Sequence, residues 1–390
     1  MTLRKLPWII LAVAATLLLA VGLALTSKHL VDASLSANSG SQSSPALYVD
    51  CVHGRDDNPG TRAAPYRSLV KINGKSLGAG VTVRLAAGCA WPGPLRVAGN
   101  GTGTRPVIIT SYGAGQPPVI AGKGLPLSQS AVVVSGTGFR ITGIRVSGVR
   151  GIGIDVMASR TVLSQDEIDH AGMGVQIQAP HVLVTGVRVD DLHMMVNSPG
   201  GDNDYGAVGF GVEAPDAQIA YSSCDNCRAP SDDYGQDGGF VEIWNNGNDL
   251  FVHDNSSSNT NGFLEIGGNS QSGSAQHVVV ERNVMTQVHG GLWIHTHDRF
   301  AFPVGSVLFA YNTLVDAAQD GNQVIGGGLG SLTFDNNAIY SRDEVSWSGA
   351  PLVHRGNVYY VSGASAIGFP INTSERILPL SAWPASLPTP

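Results

Sequence analysis

The sequence predicts an all-β chain wound as a right-handed parallel β-helix, a solenoid of about nine or ten coils. Three observations predict it. Glycine is very frequent, at 50 of 390 residues, while charged residues make up only 14% and hydrophobic residues 43%. That balance excludes a disordered chain, and glycine without a triplet period excludes collagen. A strand-and-turn frame then returns along the chain: VHDN, VERN, FAYN, FDNN and HRGN end at Asn255, Asn283, Asn312, Asn337 and Asn357, spaced 28, 29, 25 and 20 residues apart. Finally, short strands beginning at glycine recur in step with that frame: GIGIDV, GVQIQ, GFGVEA, GFVEIW, GFLEIG and GLWIHTHD. A coil of this length cannot bury its apolar side alone and needs stacked neighbours.

In chain order, residues 1–6 form a short basic stub, and Pro7 to Thr26 form an uncharged apolar run of 20 residues. That run is long enough to span a bilayer, with the basic flank directing the bulk of the chain away from the cytoplasm. A cleaved signal peptide is the competing reading. Either way the main domain is expected outside the cytoplasm: periplasmic or extracellular at the cell membrane, or secreted after cleavage. Residues 27–46 read as a flexible linker, 47–362 as the β-helix and 363–390 as a C-terminal cap or tail. Pro65 to Ile72 (PYRSLVKI) reads as a short amphipathic helix covering the first coil's open edge. Upstream of the asparagines, ITGIRV and VTGVRV place Gly143 and Gly186 in the same turn frame, with Asp166 and Ser222 as further members.

The four cysteines suit an oxidising compartment. Pairings Cys51–Cys89 and Cys224–Cys227 are expected; a zinc half-site and a redox CxxC remain the alternatives for the second pair. Net charge is −7, which gives no support to nucleic-acid binding. All five lysines lie at or before Lys123, so a mechanism on the later coils has no lysine to use.

Two segments resemble a known superfamily. LYVDCVHGRDDNPGTRAAPYRSL (Leu47 to Leu69) and LAAGCAWPGPLRVAGNGTGTRPVIITSYGAGQPPVIAG (Leu85 to Gly122) resemble the opening segment and first coils of bacterial pectate-lyase-like β-helix proteins. With the asparagine frame the resemblance covers about residues 47–362. It implies a right-handed parallel β-helix and a polysaccharide partner, with lyase, hydrolase, epimerase or purely binding activity as the options.

Period-two alternation assigns the faces of the glycine-led strands. Val175, Ile177, Val241, Ile243, Leu264, Ile266, Leu292 and Ile294 should point inward. Asp155, Gln176, Gln178, Glu213, Glu242, Trp244, Glu265, Trp293, His295 and His297 should point outward. Glu242 and Glu265 occupy equal positions on adjacent coils. Two carboxylates this close share charge poorly, which suits an acid and a base or nucleophile. His295, expected one coil from Glu265, is a third catalytic candidate. Trp244 and Trp293 offer flat surfaces on which sugar rings stack, with Gln176, Glu213 and His297 as polar contacts. The loops NSPGGDNDYG and APSDDYGQDGG bring Tyr205 and Tyr234 beside this face. They also bring Asp202, Asp204, Asp232, Asp233 and Asp237, which suit a bound Ca²⁺ or simple turns.

The reaction stays open at this stage. Hydrolysis of glycosidic bonds fits the acidic stripe best. A Ca²⁺-dependent lyase or epimerase would need His295, a tyrosine or an arginine as base, and Arg228, Arg282 and Arg299 lie outside the stripe. A non-catalytic polysaccharide binder needs only the aromatic residues. The sequence carries no signal for an oligomeric state.

Overall fold

The computed structural model describes residues 45–269, 273–288, 290–294, 303–315, 323–325, 331–342, 345–347 and 352–387. The apolar run Pro7 to Thr26 lies outside these residues, as do His295, His297 and Arg299. Among the described residues no helix is long and apolar enough to cross a membrane.

The strands stack coil on coil in parallel register. One face is a twelve-stranded sheet running from Ala46–Val49 to Leu352–Arg355, so the described chain has more coils than the nine or ten the repeat suggests. The other strands of each coil line two further faces. The long strands Arg145–Ser159 and Glu167–Ile177 run from one of these faces into the other and join them. One coil shows the plan: Gly239–Trp244, then Phe251–His253 in the twelve-stranded sheet, then Ser256–Thr260, and Gly262–Gly267 opens the next coil. A large core fills the interior, with Phe210, Phe240, Phe263, Phe309 and Phe334 among its largest side chains, and Val315, Tyr340 and Tyr360 form a second, smaller cluster. Phe240 and Phe263 stack at 4.6 Å between ring centres, and Phe309 and Phe334 at 5.3 Å, since like positions superimpose from coil to coil.

The asparagine ladder forms as the repeat predicts. Asn255, Asn283, Asn312, Asn337 and Asn357 are all buried. Each Oδ1 accepts the backbone N–H of the ladder residue one coil earlier, at 2.8–3.0 Å. Each Nδ2 donates to a carbonyl of that earlier coil: Ile219, Val252, Val280, Phe309 and Phe334 in turn. Register extends the column to Ile144, Asp166, Val187 and Ser222. Gly143 and Gly186 therefore stand one residue before the frame in which the sequence places them. They belong to a second column, Gly143, Gln165, Gly186, Tyr221, Asp254, Arg282, Tyr311, Asn336 and Gly356, in which every residue is left-handed with φ of 51–69°. The turn needs this geometry, which glycine adopts without strain.

Three other expectations change. The helix expected over Pro65 to Ile72 reduces to one 3-10 turn at Leu69–Lys71, with Leu69 and Ile72 buried. Just before it the chain is extended, because Tyr66 pairs its backbone with the open edge of Ala46–Val49. The edge's unpaired groups claim those backbone groups ahead of a helix. At the other end, Arg376–Pro379 adds in parallel to Val358–Val361, so part of the tail is one more layer of the helix. Both expected disulfides are present: Cys51–Cys89 joins the first coils, and Cys224–Cys227 lies within one turn.

Candidate functional site

The glycine-led strands form one face with the alternation expected. Val175, Ile177, Val241, Ile243, Leu264, Ile266 and Leu292 are buried. Register aligns Asp155, Gln176, Gly211, Glu242 and Glu265 in one outward column, and Trp293 takes the next register position. Glu213 and Trp244 belong to the next column. The leading glycines are not a common mark. Gly174 and Gly209 align with Phe240, one residue after Gly239, while Gly151 falls one residue before it. A Cβ at Gly209 would meet the Cys224 sulfur at 2.8 Å, so that position faces inward where the coil bends.

Glu242 and Glu265 are direct register partners, both half-buried, with backbones one strand spacing (~4.8 Å) apart. The residue directly opposite Glu265 on the following coil is Trp293; His295, expected one coil from Glu265, lies outside the described residues. Trp244 is half-buried and stands opposite Gly267. Gln176 is an exception among the outward residues. It is buried, and its amide lies over Gly211, where an added Cβ would meet Gln176 Oε1 at 2.7 Å. It is not a free contact for a ligand. Gln178 is exposed and donates to Glu213 at 3.4 Å.

The two acidic loops are tied into a single wall. Each makes a small antiparallel hairpin, Met194–Val196 with Tyr205–Gly206, and Ala229–Ser231 with Gly235–Asp237. Asp204 is buried between them and accepts from the Ser231 hydroxyl at 2.7 Å and from the N–H groups of Ser198 and Asp233 at 2.7 and 3.0 Å. Asp233 accepts from the N–H of Asn203 at 2.8 Å, and the Tyr234 hydroxyl donates to Asp202 at 2.6 Å. The N–H of Asp232 donates to Asn197 at 2.8 Å. These bonds engage the carboxylates of Asp202, Asp204 and Asp233 that the loops would offer Ca²⁺. Among the described residues no group of three or more His, Cys, Asp or Glu is placed to hold a metal ion. Tyr205 and Tyr234 are each 45% exposed.

Asp237 departs most from its expected role. It ends the second hairpin, two residues before the strand that carries Glu242, and accepts from the N–H of Gly238 at 2.7 Å. Burial, then the negative charges of Glu265 and Asp204, push its carboxyl up to about 7. The site therefore joins a carboxyl that keeps its proton near neutral pH to a carboxylate whose charge it feels. The sequence grouped Asp237 with the calcium ligands; fewer donors and the nearby charges of Glu265 and Asp204, which a loop motif does not reveal, separate it from Asp204. Farther along the same column, burial and then the charge of Glu213 raise Asp155 to about 6. Two of the three arginines expected to lie outside the stripe are engaged elsewhere, Arg228 donating to Gln236 and Arg282 to Asp254, while Arg299 lies outside the described residues.

No protein-family model matches the chain, and no curated protein matches it. Solved structures do. A GH136 lacto-N-biosidase from Eubacterium ramulus superimposes with a TM-score of 0.57 at 14% identity, covering 86% of this chain and 68% of that one. XylC, solved in complex with xylose, gives 0.58 at 8% identity over 85% and 86%. Pectate lyase Pel9A gives 0.55 at 14% identity over 83% and 82%. At these identities the likeness is one of fold, a parallel β-helix.

Proposed function

We propose that this chain is a polysaccharide-processing β-helix enzyme that hydrolyses glycosidic bonds on the Glu242–Glu265 face. One observation carries the reading: Glu242 and Glu265 are register partners on one face, and Asp237, whose carboxyl is raised to about 7 by burial and the charge of Glu265, stands two residues before the strand that bears Glu242. Hydrolysis needs such a pair, since a proton must reach the leaving oxygen while a carboxylate serves the opposite side of the sugar. Asp237 gives its proton to the glycosidic oxygen as the C–O bond breaks. Glu265 takes the proton of the incoming water or first forms the glycosyl ester that water then cleaves, and Glu242 shares that side. Trp244, Tyr205 and Tyr234 hold sugar rings by their flat faces. The fold shared with a lacto-N-biosidase, a pectate lyase and a xylose-bound protein supports a saccharide ligand. Two disulfides support an extracytoplasmic setting, with the N-terminal apolar run as anchor or signal.

The test incubates the full chain with a panel of neutral and acidic glycans, with and without EDTA. New reducing ends, unaffected by EDTA and lost in both Asp237→Asn and Glu265→Gln, are expected. Unsaturated products would instead establish elimination, and binding without new ends would establish a module. Cleavage that survives both substitutions overturns the assignment.

A further inference from the structure

The ladder column contains one acidic member. Asp166 is completely buried, and its Oδ1 accepts the N–H of Ile144, the ladder residue one coil earlier, at 3.1 Å. Every asparagine of the ladder uses its Oδ1 in the same way. Asp166 Oδ2 then takes the place of the asparagine Nδ2, which always donates to a carbonyl of the earlier coil. Register puts the carbonyl of Ile141 in that place for Asp166, since Ile141 pairs with Leu163 as Ile219 does with Val252. The coil on the other side presents Val187, which has no polar side chain. Asp166 Oδ2 is buried with no hydrogen-bond partner, and a carboxylate oxygen there would face a carbonyl, lone pair against lone pair.

We infer that Asp166 is a neutral carboxylic acid in the folded chain, its Oδ2–H standing in for an asparagine amide in the ladder, and that loss of this proton loosens the coil it holds. No charged group supplies an alternative account. The surroundings act on it through burial and the N–H groups of Ile144, Ser164 and Gly143, with about 7 as the result. The charged side chains on the flanking strands, Arg140, Arg145, Glu167 and Arg188, are all partly or fully exposed. Arg145 pairs with Asp169 and Arg188 with Asp190, each at 2.7 Å. The sign follows from linkage. A carboxyl raised on folding adds stability that is complete below the ordinary aspartate range and is lost as pH climbs to about 7.

The test compares the full chain with Asp166→Asn by thermal unfolding at pH 5 and pH 8. The variant supplies the missing donor without a titrating group, so its Tm advantage should be several degrees larger at pH 8 than at pH 5. Infrared difference spectra at pH 6, wild type minus variant, should show a carboxylic-acid C=O band that the variant lacks. Asp166→Ser, which places at this position the residue found at Ser222, gives the same band comparison should the amide misfold. An offset in Tm that does not change with pH, or no carboxylic-acid band lost in either variant, overturns the inference.

Discussion

Asp237 and Asp204 lie on neighbouring hairpins, yet their carboxyls behave in opposite ways. Burial acts against charge at both, but the Ser231 hydroxyl and three backbone N–H groups outweigh it at Asp204 and keep that carboxyl below the usual range. Asp237 has the Gly238 N–H and two negative neighbours, so it holds its proton. Asp237→Asn should therefore reduce turnover by about 10²–10⁴-fold, the usual worth of a general acid, with little change in Tm. The pH–rate profile should fall as pH rises through about 7, because the acid works only while protonated. Glu265→Gln should lower the pH at which Asp237 titrates, as read by carbon NMR of labelled aspartate, whether or not activity survives. Glu242, Glu265 and Trp244 were legible in the sequence because strand alternation alone decides which way they face. Asp237 was not, since a carboxylate in an Asp-Gly loop reads the same whether it binds a cation, shapes a turn or is shut away from water. Gln176 was misread for a related reason: its outward direction was legible, but the amide folding over Gly211 depends on the next coil.

The turn after the twelve-stranded sheet is the element that defines the fold. Each asparagine there closes hydrogen bonds to both neighbouring coils, so removing one orphans groups it does not own. Asn283→Ala would leave the buried N–H of Asn255 unpaired and take the Nδ2 donor from the carbonyl of Val252, and should cost about 2–3 kcal/mol in denaturant unfolding. This element was legible because a buried amide at a fixed frame has few substitutes. The glycines before it were one residue out of frame, since the left-handed position accepts Gln, Tyr, Arg, Asp, Asn or Gly and so leaves no constant letter. The helix expected at Pro65 to Ile72 failed because local amphipathicity says nothing of a strand edge elsewhere that needs its backbone groups.

At the scale of the molecule, stacking makes each coil the template for the next, and both ends need closing. Glu375 occupies the ladder position after Asn357. It is buried, and its carboxylate accepts from Asn357 Nδ2 at 2.7 Å, the Tyr359 hydroxyl at 3.0 Å and the Asn372 N–H at 3.0 Å, with His354 at 2.7 Å. Glu375→Ala leaves several buried donors unpaired and should lower stability by about 3 kcal/mol. The repeat could not announce this closure, because a last coil has no successor to establish a period. The same stacking brings Glu242 and Glu265 together from segments 23 residues apart in sequence and leaves Asp237 within the electrostatic reach of Glu265. The most direct measurement of that arrangement is glycan cleavage in heavy-oxygen water, read by mass spectrometry. Hydrolysis by the Asp237–Glu265 pair predicts one heavy oxygen at each new reducing end, absent in Asp237→Asn. Unlabelled, unsaturated fragments, or labelled ends that persist in the variant, would contradict it.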